Sequence, residues 1–185
     1  WDRMGKHSVV AGINWKKESF EQKRRELTNW RNHSSFDSTT YPGGLYEINK
    51  GATNNLALFV QDTYRPNFNW AIYTGLRVDR FKKFDGQHVT YDTTNNRYDT
   101  INHGEGSYTE WSPKLAIEHY VTDSLNVYAS YGHSFNPPPL SQVYRYSDVV
   151  RANPNLDPER SDTFEIGLKK EWGTKTALNL SGFYV

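Results

Sequence analysis

The segment Leu125-Asn-Val-Tyr-Ala-Ser-Tyr-Gly-His-Ser-Phe135 alternates apolar or aromatic side chains with small or polar ones. A period of two indicates a β-strand whose two faces meet different surroundings. After a proline-rich stretch, residues 163–172 alternate in the same way, with Phe164, Ile166 and Leu168 at every second position. The two segments are separated by roughly two dozen residues, whereas hairpin loops have about 2–5. The sequence therefore predicts two long strands joined by an unusually long loop.

Four other segments show the same alternation, and one more begins at the end of the chain. The apolar positions of the four are Val9, Ala11, Ile13 and Trp15; Leu56, Leu58, Val60 and Tyr64; Trp70, Ile72, Leu76 and Val78; and Trp111, Leu115, Ile117 and Val121. We therefore predict about seven antiparallel strands. The charged run 16–27 is either an extension of the first strand or a short surface helix, and helix propensity favours the helix.

Short and long connections alternate along the chain. Tight turns are predicted at 66–69, 122–124 and 173–175, and long polar loops at 28–51, at 82–108 and after Phe135. Tight turns at one end of a sheet and long loops at the other are typical of a transmembrane β-barrel. A soluble sandwich gives no reason for such a difference between its ends.

Charged residues inside the strands also favour a barrel. Arg77 and Asp79 alternate with apolar side chains, and burying both in a soluble core would be costly, whereas inside a barrel they face water. A membrane requires every backbone polar group to be paired, so the sheet has to close. Because seven strands of a wide barrel cannot close alone, we predict an all-β fold that forms part of a larger antiparallel transmembrane β-barrel.

Composition excludes several classes of function. The 22 Lys and Arg against 21 Asp and Glu give a net charge of +1, without the basic excess of a nucleic-acid-binding domain. The absence of cysteine removes disulfides, zinc fingers and thiol catalysis. The sequence contains no run of 18 apolar residues, so it predicts no transmembrane helix. The mean hydropathy of −0.85 is compatible with barrel strands, in which only alternate residues are apolar. The 15% aromatic content fits aromatic girdles at membrane interfaces.

Four motifs carry a resemblance to a known family. They are Phe59-Val-Gln-Asp-Thr-Tyr-Arg-Pro66, Ser134-Phe-Asn-Pro-Pro138, Asn153-Pro-Asn-Leu-Asp-Pro-Glu159 and Glu165-Ile-Gly167. In this order and spacing they resemble the barrel region of TonB-dependent outer-membrane receptors. Asn136 and Pro137 depart from the Arg-Ala pair that members of the family often have there. The chain opens without the apolar core of a signal peptide and stops within an alternating pattern, so we expect it to be a segment of a larger protein.

The resemblance implies a location and a set of partners. Residues 1–185 would form part of a barrel of about 22 strands in the bacterial outer membrane, and the N-terminal plug domain would lie outside this chain. Such a receptor binds a scarce nutrient at its outer loops and imports it when the TonB complex pulls on the plug. The implied partners are therefore outer-membrane lipid, a small-molecule iron chelate or similar nutrient, and the TonB complex, without nucleic acid.

Aromatic and basic residues in the long loop after Phe135 are candidate ligand contacts. The four candidates are Tyr144, Arg145, Tyr146 and Arg151. Guanidinium charge and aromatic stacking suit an anionic, aromatic iron chelate, so we predict a ferric siderophore as the ligand. Haem receptors with similar motifs have a histidine in this loop, and this loop has none between Asn136 and Asn153, although tyrosine can also ligate haem iron. Uptake of haem, cobalamin or a glycan, and a passive porin, remain alternatives.

The sequence shows no pattern that indicates an enzyme. No Ser-His-Asp order, glycine-rich phosphate loop or metal-ligand cluster stands out. Carboxylates in the polar loops, such as Glu105 and Glu110, are expected to face solvent. We therefore predict no catalytic activity, no resident cofactor and no metal site.

Overall fold

Eight β-strands and one short α-helix account for most of the chain. The computed structural model describes residues 6–146 and 151–185. The strands are β1 (Lys6–Arg25), β2 (Leu45–Asn67), β3 (Trp70–Asp92), β4 (Arg97–His103), β5 (Gly106–Thr122), β6 (Leu125–Asn136), β7 (Glu159–Trp172) and β8 (Thr176–Tyr184). A 3₁₀ turn spans Pro42–Gly44 and the helix α1 spans Leu140–Tyr144. Neither helical element in these residues has the length and apolar character needed to cross a membrane.

The strands form one antiparallel sheet in which neighbours along the chain are neighbours in space. The order is β1-β2-β3-β5-β6-β7-β8, and β4 pairs only with the far end of β3. The sheet is open, with β1 and β8 as its edges in the described residues. The all-β antiparallel architecture predicted from the alternation is therefore confirmed.

The region 82–108 is a β-hairpin and not the polar loop that we predicted. β3 continues to Asp92, and β4 follows after a short turn and pairs with β3 along its whole length. The Asp92 carboxylate accepts the backbone N–H groups of Thr94 and Asn95 at 2.8 and 3.2 Å, which stabilises the turn. This hairpin raises the number of strands from about seven to eight. Its polar composition concealed it, because strands with water on both faces lose the apolar alternation.

β1 and β2 also extend further than the sequence predicted. Residues 16–25 belong to β1, so the helix favoured by propensity is wrong and the strand extension is correct. β2 begins at Leu45, inside the region predicted as a loop. In this part of the sheet Arg24 pairs with Glu47, and its guanidinium donates to the Glu47 carboxylate at 3.1 Å. The neighbouring strand supplies backbone hydrogen bonds that outweigh a weak helix preference.

The two faces of the sheet differ in polarity. The outer face carries apolar side chains that are more than half exposed, among them Ile13, Leu58, Trp111 and Ile166. No second layer of the described residues covers them. The inner face carries polar side chains, some of them buried by neighbouring strands and by the β6–β7 connection. Such a difference is expected where one face meets lipid and the other meets water.

The exposed apolar residues form a band bounded by aromatic side chains. Tyr64 and Trp70 lie near the short turns, which we call the turn end, and Trp15 and Trp111 lie on the side of the long connections, the loop end. Between these limits each strand contributes about 9–11 residues, the length that crosses a membrane. β2 and β3 have 23 residues each, so roughly half of each strand lies beyond this apolar band, towards the loop end.

Arginine substitutions at Leu76 and Leu168 test whether the apolar band meets lipid. Both side chains point outward, Leu76 opposite Val60 and Leu168 opposite Val127. In the full-length protein in lipid vesicles, we expect either substitution to lower the free energy of unfolding by about 2–4 kcal/mol if it lies near the bilayer midplane. Guanidinium titration measures this change. Ser130→Arg, on the inner face, is the control, and equal stability of all three variants would contradict a lipid-facing outer surface.

Candidate functional site

The connection between β6 and β7 folds back over the inner face of the sheet. It leaves β6 at Asn136, passes through three consecutive prolines and forms α1. The Pro139 carbonyl accepts the N–H groups of Gln142 and Val143 at 2.9 and 3.2 Å, which closes the first turn of the helix. α1 then packs on β1, β2 and β3. We call residues 137–146 the latch.

The ring of Tyr144 occupies a slot that two glycines leave open. Tyr144 is 1% exposed, and Gly51 on β2 and Gly86 on β3 lie directly against its ring. A Cβ atom built on either glycine would overlap the ring. Neither glycine has a positive φ, so both positions need space and not an unusual backbone conformation. Two missing side chains on neighbouring strands therefore decide where α1 docks.

The side chain of Asn49 holds the end of the latch by its backbone. Asn49 is fully buried; its amide nitrogen donates to the Tyr146 carbonyl at 3.1 Å, and its amide oxygen accepts the Tyr146 N–H at 3.2 Å. The same oxygen lies 2.7 Å from Nδ1 of His88, and the amide nitrogen also donates to Glu47. Because Glu47 is paired with Arg24, a chain of polar contacts joins three strands to the latch.

Two histidines stack on the ring of Tyr146. Its centroid lies 4.6 Å from that of His88 and 5.8 Å from that of His103, with interplanar angles of 29° and 14°. Both histidines lie beyond the apolar band. Burial lowers the pKa of both imidazoles, an effect that the Glu47 carboxylate opposes at His88 and that His88 reinforces at His103. The rings are therefore held in the neutral form when the latch is docked.

The second part of the β6–β7 connection is also fixed to the inner face. The ammonium group of Lys83 on β3 donates to the carbonyl of Pro154. Within the connection, the N–H of Asn153 donates to the carbonyl of Gln142 at 3.3 Å. The two halves of the connection thus contact each other as well as the sheet, and both lie inside the wall.

An ion pair between the half-exposed Arg160 and the buried Glu110 joins the start of β7 to β5. Nε of Arg160 donates to the Glu110 carboxylate at 3.0 Å, and a second guanidinium nitrogen contacts the other oxygen. Glu110 is 5% exposed, so our expectation that it faces solvent is wrong, and Arg160 explains how the carboxylate is accommodated. Burial and the Glu110 charge raise the pKa of the neighbouring Tyr108, beyond the apolar band, to about 12. Tyr108 is therefore a neutral phenol that stacks on Phe81 at 4.9 Å.

A cavity of about 600 Å³ lies on the inner face next to the first residues of the latch. Its lining combines basic, acidic, aromatic and neutral polar side chains, including Lys16, Arg77 and Lys114; Glu18 and Asp79; Phe59, Phe81 and Phe135; and Asn55, Gln61 and Ser112. The volume is within the range of about 300–1,000 Å³ that is usual for small-molecule sites. Positive charge beside flat rings is suited to an anionic ligand that carries aromatic groups.

The three basic residues of the cavity differ in how far they are already neutralised. Arg77 donates to the buried Asp79 carboxylate at 2.7 and 2.8 Å. Lys16 lies 2.6 Å from the Glu18 carboxylate. Within residues 6–146 and 151–185, Lys114 makes no ion pair. Among the described residues, Lys114 is therefore the one of these three basic groups that has no carboxylate partner.

The structure separates the four loop residues that we predicted as ligand contacts. Tyr144 is buried in the glycine slot and Tyr146 is half-buried on the two histidines, while Arg145 between them is exposed. Arg151 is exposed and follows residues 147–150, which are outside the described part of the chain. None of the four lines the 600 Å³ cavity. The latch thus brings the two tyrosines together on the inner face and leaves Arg145 in solvent.

Sequence reasoning missed residues of two kinds. Arg77 was predicted to face inward, and Lys114 lies at a position that alternates with the apolar residues Trp111, Leu115 and Ile117 of its strand. Following such positions from strand to strand would have grouped them. Asn49 and His88 lie in regions that we predicted as loops, and nothing near them in the sequence indicates that they hold Tyr146. Their roles depend on strand pairing and on a connection that is distant in sequence.

The fold and the site together define a class of protein. An open antiparallel sheet with an apolar outer face, a polar inner face and a connection folded inward is a segment of the wall of a membrane β-barrel. Residues 3–185 match the family model described as TonB dependent receptor-like, beta-barrel. The chain belongs to this family, as its motifs predicted. The family consists of bacterial outer-membrane β-barrel receptors and transporters, which are not enzymes.

Two similar curated proteins are both named vitamin B12 transporter BtuB. The protein from Photobacterium profundum is 29% identical over 157 residues, which are 85% of this chain and 23% of the relative. The protein from Vibrio vulnificus is 31% identical over 103 residues, which are 56% of this chain and 15% of the relative. The chain thus spans less than a quarter of the length of either relative.

Solved structures share the fold at low sequence identity. The copper transporter OprC superposes with a TM-score of 0.72 and 19% identity, over 99% of this chain and 28% of OprC. The closed form of the ferric-catecholate import receptor Fiu from E. coli K12 superposes with a TM-score of 0.69 and 21% identity, over 96% of this chain and 28% of Fiu. These likenesses show that the sheet is part of a barrel of this kind.

A methyl group in the glycine slot should release the latch. In Gly51→Ala and Gly86→Ala the new Cβ overlaps the Tyr144 ring, and such overpacking typically costs about 1–3 kcal/mol. We expect trypsin to cleave the full-length protein after Arg145 about 5- to 100-fold faster, because cleavage requires the latch to open locally. Gly104→Ala is the matched control, since nothing lies within 4 Å of a Cβ there. Unchanged cleavage in both slot variants would contradict the docking described here.

Acidification should weaken docking. The two histidines have lowered pKa values when the latch is docked, so the undocked state binds protons more readily. The contribution of the neutral rings to the stability of docking is therefore complete above the ordinary histidine pKa of 6.5 and is lost as the pH falls below it. The measured quantity is the rate at which a maleimide reacts with the buried thiol of Val143→Cys, divided by the rate for the exposed thiol of Gln142→Cys. This ratio should be higher at about pH 5.5 than at about pH 7.5. His88→Phe/His103→Phe keeps two flat rings and should abolish this change. If this ratio of rates does not change with pH while both histidines are present, the prediction is contradicted.

Proposed function

We propose that this chain is part of the wall of a bacterial outer-membrane receptor that imports a scarce nutrient with energy from the TonB complex. Membership of the family supports a transporter over the passive porin. The plug on which the TonB complex would act lies outside these 185 residues, so the chain's contribution is a segment of the barrel wall and its inner surface. The ligand class that fits this surface best is a ferric siderophore.

The observation that carries the siderophore proposal is the composition of the inner cavity. An anionic iron chelate with aromatic donor groups offers negative charge to Lys114 and flat rings to Phe59, Phe81 and Phe135. The amide and hydroxyl groups of the lining can accept or donate hydrogen bonds at the periphery of the chelate. Exclusion of water by the docked latch would strengthen these charge contacts.

The four loop residues predicted as contacts have different roles in this proposal. Arg145 and Arg151 present positive charge in solvent, where they attract an anionic chelate before it enters. Tyr146 offers the exposed part of its ring, next to His88 and His103. Tyr144 acts indirectly, because its docking between the two glycines holds Arg145 and Tyr146 in place.

Replacement of Lys114 by Gln tests the proposed ligand. In the full-length protein the variant should bind a ferric tris-catecholate about 10- to 100-fold more weakly, because a hydrogen bond to a charged group contributes about 1.5–3 kcal/mol. Quenching of tryptophan fluorescence measures the affinity. Lys175→Gln, in the exposed turn between β7 and β8, removes the same charge at the turn end and should leave the affinity unchanged. A parent protein that does not bind the chelate would contradict the proposal.

Cobalamin is the second candidate, and the two curated relatives favour it. Both carry the name vitamin B12 transporter, at 29% and 31% identity. Cyanocobalamin, which has no net charge, would gain little from Lys114, so binding that is equal in the parent and in Lys114→Gln would favour this alternative. If haem or a glycan is the ligand, it would be identified because it competes with the ferric chelate in the same fluorescence titration.

A further inference from the structure

Strand β5 continues towards the loop end after its pairing with β6 has stopped. Only residues 114–122 of β5 pair with β6, whereas pairing with β3 begins at the first residue of β5. The register of β5 and β6 would place Phe135 opposite Trp111, but this pair does not form. In the part of the chain that the structure describes, no other strand pairs with this side of β5. We call the backbone of residues 107–111 on this side the free edge.

A proline explains why the two strands separate. Successive residues of an antiparallel strand direct their N–H and C=O groups to opposite sides. The Tyr120 N–H donates to the carbonyl of Asn69, just before β3, at 2.8 Å, so even-numbered residues of β5 face β3 and odd-numbered ones face β6. Pro113 is odd-numbered and has no N–H to donate to β6, so the ladder ends there. The free edge therefore offers the N–H and C=O groups of Ser107, Thr109 and Trp111.

The end of β6 turns inward instead of following β5. The Phe135 ring packs edge-on against Phe81 of the inner cavity, with ring centroids 5.7 Å apart. Arg160, which lies opposite Phe135 on β7, reaches the Glu110 carboxylate. Because of these two contacts, the ends of β6 and β7 lie over the interior and not beside the free edge. The three residues of the free edge are accordingly exposed.

The free edge begins at the depth of the apolar band and adjoins the inner cavity. Trp111 lies opposite Val78, in the same cross-strand row as Leu58 of the apolar band. Backbone groups at this depth need a hydrogen-bonding partner, because hydrocarbon offers none. Ser112, the next residue in the chain, lines the cavity of about 600 Å³. A molecule that occupies the cavity can therefore also reach the free edge.

We propose that the free edge binds an extended peptide arm of the transported ligand as an additional strand beside β5. The proposal rests on the proposed function and deepens it: the chelate in the cavity carries a chain of amides, which pair with the backbone of Thr109 and Trp111. Amides fit because the donor and acceptor of one residue of the free edge lie about 7 Å from those of the next, which is the repeat of an extended peptide. An acyl chain would leave these groups unpaired.

The test compares three ferric tris-catecholates on the full-length protein by quenching of tryptophan fluorescence. One has no arm, one carries an arm of four amino acids that alternates valine and threonine, and one carries the same arm with methylated amide nitrogens. The parent should bind the unmethylated arm at least about 10-fold more tightly than the other two, because methylation removes the donors and blocks the approach of a strand. Thr109→Pro removes an N–H group of the free edge and should abolish most of this gain. Thr109→Val keeps the N–H group and should behave as the parent does.

Two results would overturn the proposal. Equal binding of the methylated and unmethylated arms by the parent is the result expected if water alone satisfies the free edge. A gain that persists in Thr109→Pro would show that the arm binds elsewhere. If heat-modified migration in gels shows that this variant does not fold, the comparison of the two arms on the parent decides. A parent that binds the chelate but gains nothing from the arm contradicts this proposal alone, whereas a parent that binds none of the three contradicts the proposed function.

Discussion

A hydrocarbon environment cannot satisfy backbone hydrogen bonds, and this constraint determines most of the structure. Within the apolar band, each N–H and C=O must find a partner on an adjacent strand, so strands pair in long uninterrupted registers. The pleat then sends alternate side chains to opposite sides, which separates apolar residues such as Leu58 from polar ones such as Gln61. The apolar outer surface and the polar inner surface follow from that separation.

Pairing between chain neighbours also explains where the inner cavity lies. Each strand returns beside the previous one, so all long connections emerge together at the loop end and compete for space over the interior. The β6–β7 connection crosses β5 and settles on β2 and β3, where Gly51 and Gly86 leave room for Tyr144. The cavity next to it is built from five strands, none of which carries a complete set of its lining residues.

The parts of the fold that meet lipid could be predicted, and those that meet water on both sides could not. Strands such as 55–66 and 70–79 were evident because lipid demands an apolar residue at every second position. Beyond Trp15 and Val78 that demand ends, and polar residues continue the strands because a neighbouring strand is available, which a single sequence does not reveal. Asn49 and His88 gain their roles from a segment nearly a hundred and about sixty residues away, respectively. Contacts of that range have no local signal.

The length of β2 and β3 has a consequence for how a solute approaches. The dozen or so residues of β3 beyond the band, inclined at about 45°, carry the wall roughly 25–30 Å above the hydrocarbon surface. A solute that follows the inner face of this segment of the wall would therefore meet side chains such as His88 and His103 well before it reaches the depth of the headgroups.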